Sequence, residues 1–169
     1  MNPITNNEFL AAVMEEAAWK EASESGPWSM EMLSKYQDKV DWKKISSNSE
    51  VVWTVDGVNK FKHKINWEEF SANCPAYFLT VENLQQFKNF WDWSEISERS
   101  EVLNNWELLD TLVDSVDWEK IIEQWSIERP IEFFKRYESH VPMKHFQDSR
   151  LWNMIADELG KQLKLRIMQ

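Results

Sequence analysis

The chain has 169 residues, with 29 acids against 19 bases, a formal charge of −10 and a single cysteine. Apolar residues at 43% and aromatics at 14% exclude a disordered chain, while three glycines and five prolines are too few for a turn-rich β fold, which leaves helix. The acidity speaks against a general binder of duplex nucleic acid or anionic membrane, and the absence of a secretion signal or of a run of ~18 apolar residues leads to the expectation of a cytoplasmic protein in a reducing compartment.

In chain order, residues 6–24 set Phe9, Leu10, Val13 and Ala17 at helical spacing and stop at Ser25-Gly26-Pro27, predicting a capping helix within residues 1–27. Residues 28–148 then repeat. Asp41-Trp42, Asn66-Trp67, Asp92-Trp93 and Asp117-Trp118 recur at intervals of 25, 26 and 25, and another 25 reaches Pro142-Met143. Four apolar columns share this register. They are Leu33, Val58, Leu84, Leu109, Phe134; Tyr36, Phe61, Phe87, Leu112, Tyr137; Val40, Ile65, Trp91, Val116, Val141; and Ile45, Phe70, Ile96, Ile121, Phe146.

Each unit reads as two helices. Ser29, Thr54, Thr80 and Asn105 are suited to cap the first, and an acid follows two residues on at Glu31, Asp56, Glu82 and Glu107, and again at Glu132, where the helix dipole favours it. Asp41, Asn66, Asp92 and Asp117 are suited to cap the second. Apolar residues on either side of each cap form a hydrophobic staple, and Glu69 and Glu95 stand where a capping box would place them. Residues 149–169 form a second flanking helix, with Leu151, Ile155, Leu159, Leu163 and Ile167 along one side and basic residues at its end. The expectation is one all-α domain over 1–169. Five tandem two-helix repeats of about 25 residues form an α-solenoid or helical array, closed by a capping helix at either end. The repeat tryptophans are read as wedges between units.

The run Trp28-Ser29-x-Glu31-x-Leu33-x-x-Tyr36-x-Asp38-x-Val40-Asp41-Trp42-x-x-Ile45-Ser46-x-Asn48 resembles the tandem Trp-Ser-x-Glu repeats of uncharacterised bacterial, often Bacteroidetes, and phage proteins. The likeness is sharpest in the first three units and decays after Ser97, where Ile122 and Gln147 occupy the serine column. It implies architecture and no activity.

Chemistry-bearing motifs are scarce. His63, His140, His145 and Cys74 lack the spacing of a metal site, the three isolated glycines build no phosphate loop, and Cys74 reads as a packed thiol, so no metal, cofactor or catalytic residue is expected. Charge is uneven, and residues 91–132 carry −9. Within that block Glu98, Glu101, Asp110, Asp114 and Glu123 have no capping duty and are the candidate contact surface. The functional expectation is a non-enzymatic acidic module that binds a protein partner with a basic surface, in a narrower form an inhibitor or immunity-type protein. Two alternatives are an enzyme with a carboxylate site in an inter-repeat groove, marked by a raised carboxyl pKa, and a structural or assembly subunit that self-associates through an apolar end.

Overall fold

The computed structural model describes residues 3–169, with side chains from residue 7 onward. Among the described residues the chain forms thirteen α-helices and no strand. It divides into two compact units, one ending at Trp91 and one beginning at Asp92. The first holds α1 (Pro3–Ser25), α2 (Met30–Tyr36), α3 (Trp42–Ser47), α4 (Val55–Phe61), α5 (Trp67–Asn73) and α6 (Val81–Gln86), with a 3-10 turn at Ala76–Phe78. The second holds α7 (Trp93–Ile96), α8 (Ser100–Leu103), α9 (Trp106–Asp110), α10 (Trp118–Ile121), α11 (Pro130–Tyr137), α12 (Met143–Phe146) and α13 (Arg150–Ile167).

Helices this short have little stability of their own, so their ends must be satisfied from outside. The expected caps do this. Ser29, Thr54, Thr80 and Asn105 accept from the backbone N–H groups of Met32, Gly57, Asn83 and Leu108, and start α2, α4, α6 and α9. Asp41, Asn66, Asp92 and Asp117 do the same for α3, α5, α7 and α10. Pro142 starts α12 without a side-chain bond. At the far end of three of the first helices, the tryptophan that opens the second returns its indole N–H to a carbonyl five residues back. Trp42 donates to Gln37 (2.8 Å), Trp67 to Lys62 (2.7 Å) and Trp118 to Val113 (2.9 Å), which closes the corner between the two helices.

Consecutive second helices are joined by a buried serine. The Ser46 hydroxyl donates to the Trp42 carbonyl at 2.6 Å and accepts the Asn66 N–H at 2.9 Å. Ser23 repeats this with Trp19 and Asp41, and in the second unit Ser97 repeats it with Trp93 and Asp117. The Asn66 N–H is thereby taken, so the capping box expected with Glu69 is not made. Glu69 instead pairs with Lys43 at 3.4 Å. Asn48, the last residue of the repeat motif, donates to the carbonyls of Ser23 and Gly26, each at 2.9 Å, tying its unit back to α1.

The core follows the expected columns. Leu33, Val58, Leu84, Leu109 and all of the Val40 and Ile45 columns are buried. One register differs. In α11 the buried residue is Phe133 and not Phe134, because α11 begins on Pro130 and runs a full eight residues. Phe134 is half-buried and stacks on Phe146 with centroids 4.7 Å apart. The repeat tryptophans are half-buried, and three of them lie against the first helix of the next repeat. Trp42 meets Phe61 at 5.0 Å and Trp67 meets Phe87 at 5.8 Å, and within the second unit Trp118 meets Tyr137 at 5.4 Å.

Trp19 and Ser23 make α1 more than a lid. Trp19 packs on Tyr36 at 5.4 Å, as Trp42 does on Phe61, so the end of α1 serves as the second helix of a preceding unit. The flanking helices depart from expectation elsewhere. Phe9, Leu10, Val13 and Ala17 are exposed and close nothing; in α13 only Leu151 and Ile155 of the predicted row are buried, while Leu159, Leu163 and Ile167 are exposed.

Two sets of variants test this frame. Ser46→Ala leaves the Asn66 N–H unpaired and is expected to cost about 1–3 kcal/mol in urea unfolding, against within about 0.5 kcal/mol for Ser25→Ala, whose hydroxyl is exposed. A Cβ on Gly26 would stand 2.5 Å from the Ala22 carbonyl oxygen, whereas one on Gly160 meets nothing within 4 Å. Gly26→Ala is therefore expected to lower the melting temperature. Gly160→Ala, inside α13, is expected to raise stability by about 0.5–1 kcal/mol.

Candidate functional site

The five candidate acids all lie in the second unit, and four of them are matched by a base. Glu98, just past α7, pairs with Lys120 of α10 at 2.8 Å. Glu101 of α8 takes a two-pronged bond from Arg99, with Nη2 to Oε1 at 2.9 Å. Asp110, at the end of α9, receives Arg136 of α11 through both carboxylate oxygens, with Nε to Oδ1 at 3.0 Å, and also the Tyr137 hydroxyl at 2.8 Å. Glu123 lies 3.8 Å from Arg150 of α13. Asp114 is exposed and makes no ion pair among the described residues. Three of these pairs link residues 22 to 27 apart, about one repeat. Glu98, Asp110 and Glu123 thus clamp one repeat to the next, whereas Glu101 is held by a base two residues away and Asp114 serves no such clamp.

The electrostatics agree. The Arg99 guanidinium, hydrogen-bonded to Glu101, holds that carboxyl below the usual range. Hydrogen bonding from Arg136, followed by that from Tyr137, does the same for Asp110. Burial, with the Asp110 hydrogen bond and charge behind it, pushes the Tyr137 hydroxyl up and keeps it a donor. Hydrogen bonding to Glu98 raises Lys120. Both resolved carboxyl shifts run downward, the direction opposite to the one a general acid requires.

The unpaired negative charge sits elsewhere. Glu107 and Glu132, which the sequence assigns to helix dipoles, are exposed and make no ion pair among the described residues, as is true of Glu119 beside Asp117. Their equivalents in the first unit, Glu31, Asp56 and Glu82, are likewise exposed and unpaired. Sequence reasoning divided the acids by capping duty, and no signal along the chain shows which of them a base from the next repeat will reach. The spacing of acid and base by one repeat was the available clue: Asp38 with Lys64 and Asp110 with Arg136 are both 26 apart.

The hollows open to solvent. One of about 590 Å³ is lined by Ser100, Glu101, Asn104, Asn105, Ser126 and Glu128. Its Glu101 is held ionised by Arg99, and the Ser126 hydroxyl is shielded from solvent without a hydrogen-bond partner among the described residues. Another, of about 440 Å³ between α11 and α13, is apolar, with Phe134, Trp152, Ile155 and Leu159 in its walls. Cys74 is buried at the end of α5, as a packed thiol would be. Among the described residues no group of three or more His, Cys, Asp or Glu converges on a metal position, and no helix is long and apolar enough to cross a membrane. No protein-family model, curated protein or solved structure matches the chain.

The Asp110 clamp carries a pH signature. A carboxyl held low in the folded state stabilises the fold above its ordinary range, and that contribution disappears as pH falls through the lowered value. Urea unfolding from neutrality down to about pH 2.5 is expected to show a shallower acid limb below about pH 4 in Asp110→Asn than in the parent.

Proposed function

We propose that the chain is a non-enzymatic helical-repeat module that binds a protein partner through an acidic, repeat-spaced surface. The observation that carries this reading is the recurrence of an exposed, unpaired acid at one position of each first helix: Glu31, Asp56 and Glu82 in the first unit, Glu107 and Glu132 in the second. Glu31, Asp56, Glu82 and Glu107 each stand two residues past the N-cap and Glu132 three, so within each unit their spacing is set by the repeat, and a partner with basic groups at matching intervals would meet them in register. Glu98, Glu101, Asp110 and Glu123, occupied by neighbouring bases, contribute less to such a surface than Asp114, Glu107 and Glu132. The narrower form of the reading is an inhibitor or immunity-type protein that covers a basic substrate- or nucleic-acid-binding surface. Kinship with the bacterial and phage Trp-Ser-x-Glu repeat proteins, and a cytoplasmic setting, belong to the same proposal and rest on the motif and on the single buried cysteine.

Affinity capture from native lysate is the test, run in low and high salt with the parent and with a Glu31→Gln, Asp56→Asn, Glu82→Gln triple variant. The expected result is a basic protein retained by the parent in low salt, weakened by high salt and lost with the triple variant, whose circular dichroism shows the fold retained despite the small stability lost with three first-turn acids. Retention by parent and variant alike, or no basic partner in either salt, sinks the reading.

A further inference from the structure

Two helical surfaces are left without cover. On α1, Phe9, Leu10, Val13 and Met14 are 49–71% exposed. At 100° per residue they share one side with Ala17, while Trp19, through which α1 packs on its own unit, projects from the far side. On α13, Leu159, Leu163 and Ile167 extend the buried row of Leu151 and Ile155 out to 42–83% exposure. Solvent-facing apolar rows of this kind mark association sites.

The two rows complement each other in length and in charge. Phe9 to Ala17 and Leu159 to Ile167 each span eight residue steps, about 12 Å of helix. The α1 helix carries five acids and one base, whereas α13 carries four bases and two acids. Lys164 and Arg166 flank the α13 row on either side and make no ion pair among the described residues. Neither row suits itself as well, because pairing α1 with α1 sets acid against acid and pairing α13 with α13 sets base against base.

We propose that the exposed row of α1 in one copy of the chain is covered by the exposed row of α13 in a second copy, so that the protein associates head to tail. The interface is heterologous, because it joins two different rows, and each added copy brings a fresh α1 row and a fresh α13 row. Two short rows bury little area, so the association is weak and depends on concentration. The inference is independent of the acidic partner surface proposed above.

Sedimentation velocity on the full chain tests it with Val13→Glu and Leu163→Glu, two exposed positions at which circular dichroism should show an unchanged fold. The parent is expected to grow past a dimer with concentration and to shrink in high salt. Each variant alone is expected to stay monomeric. An equimolar mixture is expected to form a dimer and stop there, since the α13 row of Val13→Glu meets the α1 row of Leu163→Glu and no other intact pair remains. A parent that stays monomeric up to about 1 mM overturns the proposal, including the case in which it binds lipid vesicles instead. So does either variant associating alone as the parent does, or a mixture that stays monomeric.

Discussion

One hydrogen-bonded serine holds the repeat together. Ser46 sits in the core with a single hydroxyl, and it uses both capacities of that group, donating into its own helix and accepting the first free N–H of the next. A backbone N–H at a helix start has no partner within its own helix, and leaving it unpaired in the interior is costly. The serine solves this for the helix that follows it. Ser23 and Ser97 do the same at equivalent places, which makes the contact a property of the repeat and not of one locality.

The same bond explains where the pattern changes. Twenty residues before Asp117 stands Ser97, and twenty before Pro142 stands Ile122. Proline has no N–H to offer, so a hydroxyl at Ile122 would have nothing to receive from it. The loss of serine and the loss of the capping acid are therefore one change made at both ends of a single hydrogen bond. The Ile122 carbonyl instead receives the N–H of Leu151, through which α13 joins the second unit.

Much of this was legible in the chain. Caps such as Asp41 and Thr54 act on atoms two or three residues away, and the Ile45 and Val40 columns are fixed by helical period, so local order was enough to read them. What escaped depends on distance along the chain. The burial of Trp53, Phe78 and Leu103 between repeats lies outside the aligned columns, and Ala76–Phe78 and Ser100–Leu103 bridge the same connection in different ways. The role of Trp19 was visible as a fourth Trp-x-x-x-Ser step, alongside Trp42–Ser46, Trp67–Ser71 and Trp93–Ser97, but its interval of 23 falls outside the 25-residue period. The ion pairs of Glu98, Asp110 and Glu123 were hidden for a plainer reason. Sequence shows which residues are charged, and only folding shows which base from the neighbouring repeat arrives beside them.

The serine bond also restricts how such a chain can change in length. Its donor and its acceptor belong to successive units, so removing or duplicating one whole unit leaves every hydroxyl facing an amide. A cut of any other size strands one of each. Length variants of such a chain should accordingly differ by whole multiples of the unit, in steps and never by gradual trimming, with the hydroxyl-free junction at Ile122 and Pro142 a seam, among the described residues, where a different kind of ending can be grafted.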